Sequence, residues 1–323
     1  MKRKLLHIMM GTHNPDLLNG LESQFDCVNI DWTEYTNKYN QLQSDILSLY
    51  KKHNPDIVFI HVQSDGIIGV DTAKIMSEKS LVFNWTGDVR QPLPDFYTKL
   101  GRHITSTLFT NMNDVNYLRN NGIKSDYLQV GFDSKKFNQL GKKDGKYPEI
   151  IFLGSNYVDV FPLSKYRYEM VHTLKNHFGS KFGVYGSGWG DISNGYIDNY
   201  DDEGTAYRSC KIAINLSHFA YSRYSSDRMY RILGSGAFCL THHFPDIELD
   251  LKTNKDLVVW HNINDLVNKI NKYLVMDKER ETIALNGCFN VRTSHTWHHF
   301  AKNLNEIANK YDKERLLDTA NKA

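Results

Sequence analysis

KIAINLSHFAYSRYSSDRMYRILGSGAFCLT, residues 211–241, starts as a buried apolar strand, crosses a polar loop, forms a short helix and re-enters an apolar run through small residues. Ser225 and Ser226 stand where a helix cap belongs, Gly234-Ser235-Gly236 supplies the turn, and GAFCLT reads as a second buried strand. Strand, helix and strand without polar alternation is the signature of a parallel sheet with both faces covered.

The same rhythm extends in both directions. Upstream lie EIIFLGS from Glu149, a predicted helix from about Ser164 to Phe178, and KFGVYGSGWG from Lys181. In that helix Tyr168, Val171, Leu174 and Phe178 form an apolar stripe, Ser164 can cap the start and Gly179 can end it. The first half carries LLHIMM, CVNIDW, DIVFIHV, SLVFNWTGD and HITSTLFT. Leu42, Ile46 and Leu49 fall at helical spacing among them, and 111–121 reads as a helix closed by Gly122. After Asp133 the chain turns polar, with five lysines and three Gly or Pro residues between Lys135 and Glu149, where a linker is expected. Lys135, Lys136, Lys142, Lys143 and Lys146 read as its solvated face. Phe300, Leu304, Ile307 and Tyr311 stripe a last helix, and the tail from Lys313 is expected to fray.

At 323 residues the chain is long enough for two domains. The expectation is two Rossmann-like, doubly wound α/β domains facing a cleft, with ligands at the carboxyl ends of their strands. No run approaches the roughly 18 apolar residues that span a bilayer, so no integral membrane segment is expected. Met1–Asp16 reads as a first strand and not a signal peptide. Cys27, Cys210, Cys239 and Cys288 are scattered, which fits a reducing, cytoplasmic setting and suggests neither disulfides nor a zinc site. A net charge of +2 is too mild to argue for nucleic acid by itself.

Several strand ends carry candidate chemistry. In the second half these are Gly154, Ser155 and Asn156, the turn of Gly186, Ser187 and Trp189, and Ser217 with His218. The helix opened by Ser226, Asp227 and Arg228 follows, with His243 beyond the next strand. Glycines after strands let backbone approach phosphate, and a helix N-terminus beside an arginine favours a diphosphate. Asp227 would repel that anion, so it is expected to pair with Arg228 or to accept a sugar hydroxyl. In the first half Gly11, Thr12, His13, Asp65, Asp88 and Arg90 end strands on what would be the acceptor side. Removing an acceptor proton requires a base, for which Asp88 leads and His13 is second. The ordinary alternative for Asp88 is loop capping or pairing with Arg90. His295, His298 and His299 read as a surface patch, so no metal is expected.

YLQVGFD with KKF, FLGSNY, VYGSGW, RMYRILGSGAFCLTHHFPDIE, DLVVW with NINDLVNKINKYL, and NV with TSHTW together resemble the group 1 glycosyltransferases of the GT-B fold, in the CgeB-like branch of bacteria and their phages. The resemblance covers nearly all of residues 127–311; the first half matches in architecture only. It implies domains at 1–140 (acceptor side) and 141–300 (donor), with a helix at 301–323 packing back on the first. It also implies a nucleotide-sugar site, most simply for a UDP-sugar, with no cofactor and no essential metal. Diphosphate contacts carry over to Gly154, Ser155, Arg228 and the turn near His243, and nucleotide contacts to 186–189. The implied activity is hexosyl or pentosyl transfer to an acceptor hydroxyl of a glycan, a small molecule, a protein or a hydroxymethylated base in phage DNA. Where the resemblance leads one to expect acidic residues, Arg223 and Arg231 stand. A catalytically silent scaffold that binds a nucleotide sugar or glycan is therefore the alternative, and a sugar phosphorylase or epimerase has no distinct signature.

Overall fold

The computed structural model describes residues 2–11 and 15–320. The chain divides into two compact units, Met1–Gly131 with Trp297–Ala323, and Phe132–Thr296.

The first unit contains β1 (Arg3–Met9), α1 (Pro15–Gln24), β2 (Phe25–Asp31), α2 (Tyr39–His53), β3 (Ile57–Ile60), α3 (Val70–Ser77), β4 (Leu81–Thr86), α4 (Asp95–Gly101), β5 (Ser106–Phe109), α5 (Met112–Asn120) and β6 (Ser125–Tyr127). Its strands are all parallel, in the order β2-β1-β3-β4-β5-β6. Every residue of β3, β4 and β5 is buried, including the polar Asn84, Thr86, Ser106 and Thr107, as expected of strands covered on both faces. Asn111 caps α5 by accepting from the Asp114 N–H at 2.8 Å.

The second unit contains β7 (Ile150–Leu153), α6 (Ser164–Phe178), β8 (Phe182–Tyr185), α7 (Tyr200–Ser209), β9 (Ile212–Asn215), α8 (Asp227–Gly234), β10 (Cys239–His242), β11 (Val258–Trp260), α9 (Ile263–Val275) and α10 (Asp277–Ser294). Its sheet is also parallel, in the order β11-β10-β9-β7-β8. The strand order reverses between β7 and β9, which makes a crevice at their carboxyl ends the expected ligand position.

Local readings change in three places. Ser164 lies inside α6 and accepts from the Phe161 N–H at 3.1 Å, and Leu163 takes the cap position. Tyr168 is 48% exposed, and Arg167 joins Met170, Val171 and Leu174 on the buried face. The stretch 135–149 lies wholly within the second unit. There Arg208 of α7 donates to the carbonyls of Lys136, Asn138 and Lys142, and Lys136 pairs with Asp201 at 2.6 Å. Those bonds turn a lysine-rich segment into a bound strap, so the division falls earlier, at 131/132.

The last helix, α11 (Trp297–Ala320), belongs to the first unit and buries Trp297, Phe300, Leu304 and Tyr311. Gly20 of α1 lets it approach, since a Cβ there would lie 2.5 Å from the Trp297 carbonyl oxygen. The Tyr311 hydroxyl and Lys310 Nζ donate to the Asp126 carboxylate at 2.6 and 2.8 Å. Held in this way, the helix runs on past Lys313 to Ala320.

Candidate functional site

At the β7/β9 reversal two arginines converge. Arg167 is 1% exposed; it donates to the Ser155 carbonyl at 3.0 Å and to the Leu216 carbonyl at 2.5 Å. Arg228, in the first turn of α8, donates to the same Leu216 carbonyl at 3.3 Å and to Asn215 Oδ1 at 3.5 Å. Both guanidiniums lie over the Phe152 ring, 5.3 and 5.5 Å from its centroid. Among the described residues neither takes part in an ion pair with a carboxylate. Burial and the like charge of Arg228 push Arg167 well below the ordinary arginine value. Two adjacent guanidiniums hydrogen-bonded to carbonyl and amide oxygens concentrate positive charge at this reversal.

The loop entering α8 adjoins the arginine pair. The Ser226 N–H donates to Ser217 Oγ at 3.3 Å, and Ser226 Oγ is buried without a partner. Ser226 holds the N-cap position without a side-chain cap bond, and the Ser225 hydroxyl donates to the Ser226 carbonyl, so neither serine caps α8 as expected. His218 is half-buried beside them, and burial together with Arg167 and Arg228 lowers its pKa to about 3.

The two glycine turns interlock. A Cβ on Gly186, at φ +145°, would lie 2.6 Å from the Gly154 carbonyl oxygen, and one on Gly188 would lie 2.7 Å from that of Asn156. Trp189 Nε1 donates to the Gly154 carbonyl at 2.7 Å, and the Ser187 hydroxyl donates to Ser155 Oγ at 2.9 Å. The Gly154 and Asn156 N–H groups already donate to Tyr185 and Ser187 carbonyls. These glycines let two backbones touch, and Gly154, Ser155, Asn156, Gly186, Ser187 and Trp189 form one wall beside Arg167.

Asp227 pairs with Arg231 one turn along α8, not with Arg228. Arg231 also meets Glu203 of α7 at 3.1 Å and the Tyr200 hydroxyl at 3.0 Å, over the Tyr200 ring. This neutralises the carboxylate that would otherwise repel an anion at the helix start, while Asp227 stays 44% exposed. Arg223 is bound to Asp250 by two bonds of 2.5 and 3.0 Å. His243 stands apart at the end of β10, exposed, with its ring 5.0 Å from that of His261.

In the first unit Asp88 is 56% exposed and sits 3.5 Å from Arg90, which also donates to Gln63. Asp65 is exposed, 4.0 Å from Lys99, and the Gly11 N–H donates to Asp31 Oδ1 at 2.9 Å. Thr12 and His13 lie outside the described residues. The strand order reverses between β1 and β3, and there His61, absent from the sequence-based candidates, follows β3 with its ring 4.9 Å from Trp85. Burial lowers its pKa to about 4, against the pull of Asp88. Among the described residues no group of three or more His, Cys, Asp or Glu is placed to hold a metal, and no helix is long and apolar enough to cross a membrane.

Arg167 was also missed. Its signal was available: it lies four residues before Val171 and seven before Leu174, a charge on an apolar stripe.

Two parallel-sheet, Rossmann-like α/β domains define the fold, and it is shared with the GT-B glycosyltransferases. Residues 167–306, from Arg167 into α11, match the family described as Glycosyl transferase-like. A glycosyltransferase from Rickettsia africae is similar at TM-score 0.70 and 11% identity, over 97% of this chain and 99% of that one. Sucrose-phosphate synthase from Thermosynechococcus elongatus gives 0.66 and 9%, over 99% and 100%. HepE from Anabaena, solved with UDP and glucose, gives 0.67 and 10%, over 95% and 100%. No curated protein matches by sequence.

Proposed function

We propose that this protein is a glycosyltransferase that binds a nucleoside diphosphate sugar in its second unit and transfers the sugar to an acceptor hydroxyl. The observation that carries the reading is the pair Arg167 and Arg228 at the β7/β9 reversal, two cations without a carboxylate partner among the described residues, beside the start of α8. A diphosphate supplies the missing negative charge, and the wall of Gly154, Ser155 and Ser187 flanks it. A UDP-sugar is the first donor to try, since HepE was solved with UDP and with UDP-glucose. Gly186 and Trp189 would flank the nucleotide, and Asp227, pinned by Arg231, presents a carboxylate oxygen to a hydroxyl. Asp88 and His13 remain our candidates for acceptor activation, and Gly11, Thr12, Asp65 and Arg90 our candidates for the acceptor side. The acceptor is a glycan, a small molecule, a protein or a modified DNA base, and the setting cytoplasmic, with no cofactor. A silent scaffold that binds a nucleotide sugar or a glycan is the second reading, favoured by the arginines at 223 and 231, where the resemblance places acidic residues.

Thermal stabilisation against nucleoside diphosphates and their sugars tests the site, because a ligand that binds only the folded state raises the melting temperature. A shift specific to a diphosphate sugar, with turnover on an acceptor panel, supports the enzyme. A shift without turnover or donor hydrolysis supports a nucleotide-sugar-binding scaffold, and no shift with any nucleotide sinks the enzyme reading and leaves a glycan-binding scaffold.

A further inference from the structure

His218 is a titratable group that faces both Arg167 and Arg228. It follows β9 two residues after Leu216, whose carbonyl both arginines share. On the other side the imidazole packs against Tyr157 and Phe161 of the loop after β7, with centroids 5.0 and 4.6 Å away. Its Nδ1 is buried without a hydrogen-bond partner. The charged groups facing it are Arg167 from α6 and Arg228 from α8. In the free protein a proton on this ring would be a third positive charge beside two arginines that form no ion pair among the described residues.

A diphosphate reverses that field. Its negative charges offset both guanidiniums, lie beside the imidazole, and offer acceptors to a ring nitrogen that has none. We propose that the anion bound by Arg167 and Arg228 is taken up together with one proton, which resides on His218 and makes the imidazolium a third cationic donor to the phosphates. This rests on the donor-site reading above. The ring carries charge only while a diphosphate is present, so the empty site avoids a third buried cation and the occupied site gains one where leaving-group charge would develop.

The sign follows from linkage. A group that is more basic in the complex than in the free protein makes affinity rise as pH falls through its pKa in the complex, by up to about tenfold per pH unit. UDP-glucose is the probe, because its esterified diphosphate has no proton of its own to exchange between about pH 5.5 and 8. Calorimetric titration of the full chain, in pairs of buffers differing in ionisation enthalpy, reads proton uptake directly. Uptake should approach one proton per site at the acid end, with affinity strengthening in step. His218→Asn and His218→Gln should bind with pH-independent affinity and no uptake. Binding by the native protein without proton uptake, or uptake that persists in His218→Asn, overturns the proposal and leaves the donor site standing. Absence of UDP-glucose binding at every pH refutes the donor reading for this ligand and the His218 proposal with it. The buffer-pair measurement on the native protein decides the matter even where a variant does not fold.

Discussion

Replacing Arg228 by Met separates a binding arginine from a structural one. The side chain makes two long bonds, at 3.3 and 3.5 Å, and no ion pair among the described residues, so its loss removes little from the free protein. It also removes the like charge beside Arg167, whose own bonds to Ser155 and Leu216 remain. The net effect on folding should lie within about 0.5 kcal/mol, or roughly 2 °C for a unit of this size. In the complex the same guanidinium should make charge-assisted contacts worth about 1.5–3 kcal/mol, a ten- to roughly 150-fold loss of affinity. Titration calorimetry with UDP-glucose and the melting point of the unliganded variant read the two quantities separately. Unchanged affinity refutes the anion site. Weakened affinity with a melting point lowered by many degrees would show that Arg228 holds the fold and acts on ligand only through it.

Three further outcomes follow from the same geometry. His7 is buried in β1, and burial followed by the charge of His61 lowers its pKa from 6.5 to about 3. Its stabilising contribution is complete above pH 6.5 and declines by about 1.4 kcal/mol per unit as pH falls toward 3, so His7→Leu should flatten the loss of stability between about pH 6 and 4.5 in urea titrations; an unchanged slope would place the acid sensitivity elsewhere. Arg231→Met strands Glu203 and should destabilise by about 3–5 kcal/mol, and adding Glu203→Gln should recover much of that; additive losses would show that the pair is not coupled. Gly186→Ala drives a Cβ into the Gly154 carbonyl and should abolish UDP-glucose binding with a lower melting point, whereas Gly145→Ala, which meets nothing within 4 Å, should change neither.

The strands were legible because a parallel sheet buries both faces, and a continuous apolar run such as IVFI needs no partner to be recognised. Glycine turns and Arg228 were legible for a similar reason, since each is a local signal beside a strand or a helix start. The reach of a long side chain was not legible. Lysines at 135–146 look like a solvated tether until Arg208, more than sixty residues on, is seen binding three carbonyls of that segment.

Position 231 carries this furthest. Read along the chain, an arginine where an acid is expected looks like loss of function, because only neighbours in sequence are visible. In three dimensions Arg231 is held between Glu203 from α7 and Asp227 from its own helix, so the local carboxylates are relocated and not absent. Arg231 offsets the charge of Asp227 at the start of α8 and leaves that carboxylate partly exposed, an arrangement in which an acid can stand next to the proposed diphosphate without repelling it. Asp227→Asn therefore distinguishes the two readings of this site. Weakened binding of UDP-glucose, with UDP itself little affected, would mean that Asp227 contacts the transferred sugar. An equal loss for both would place it on the nucleotide, and unchanged affinity for both would reduce the network to a fold-stabilising ion pair.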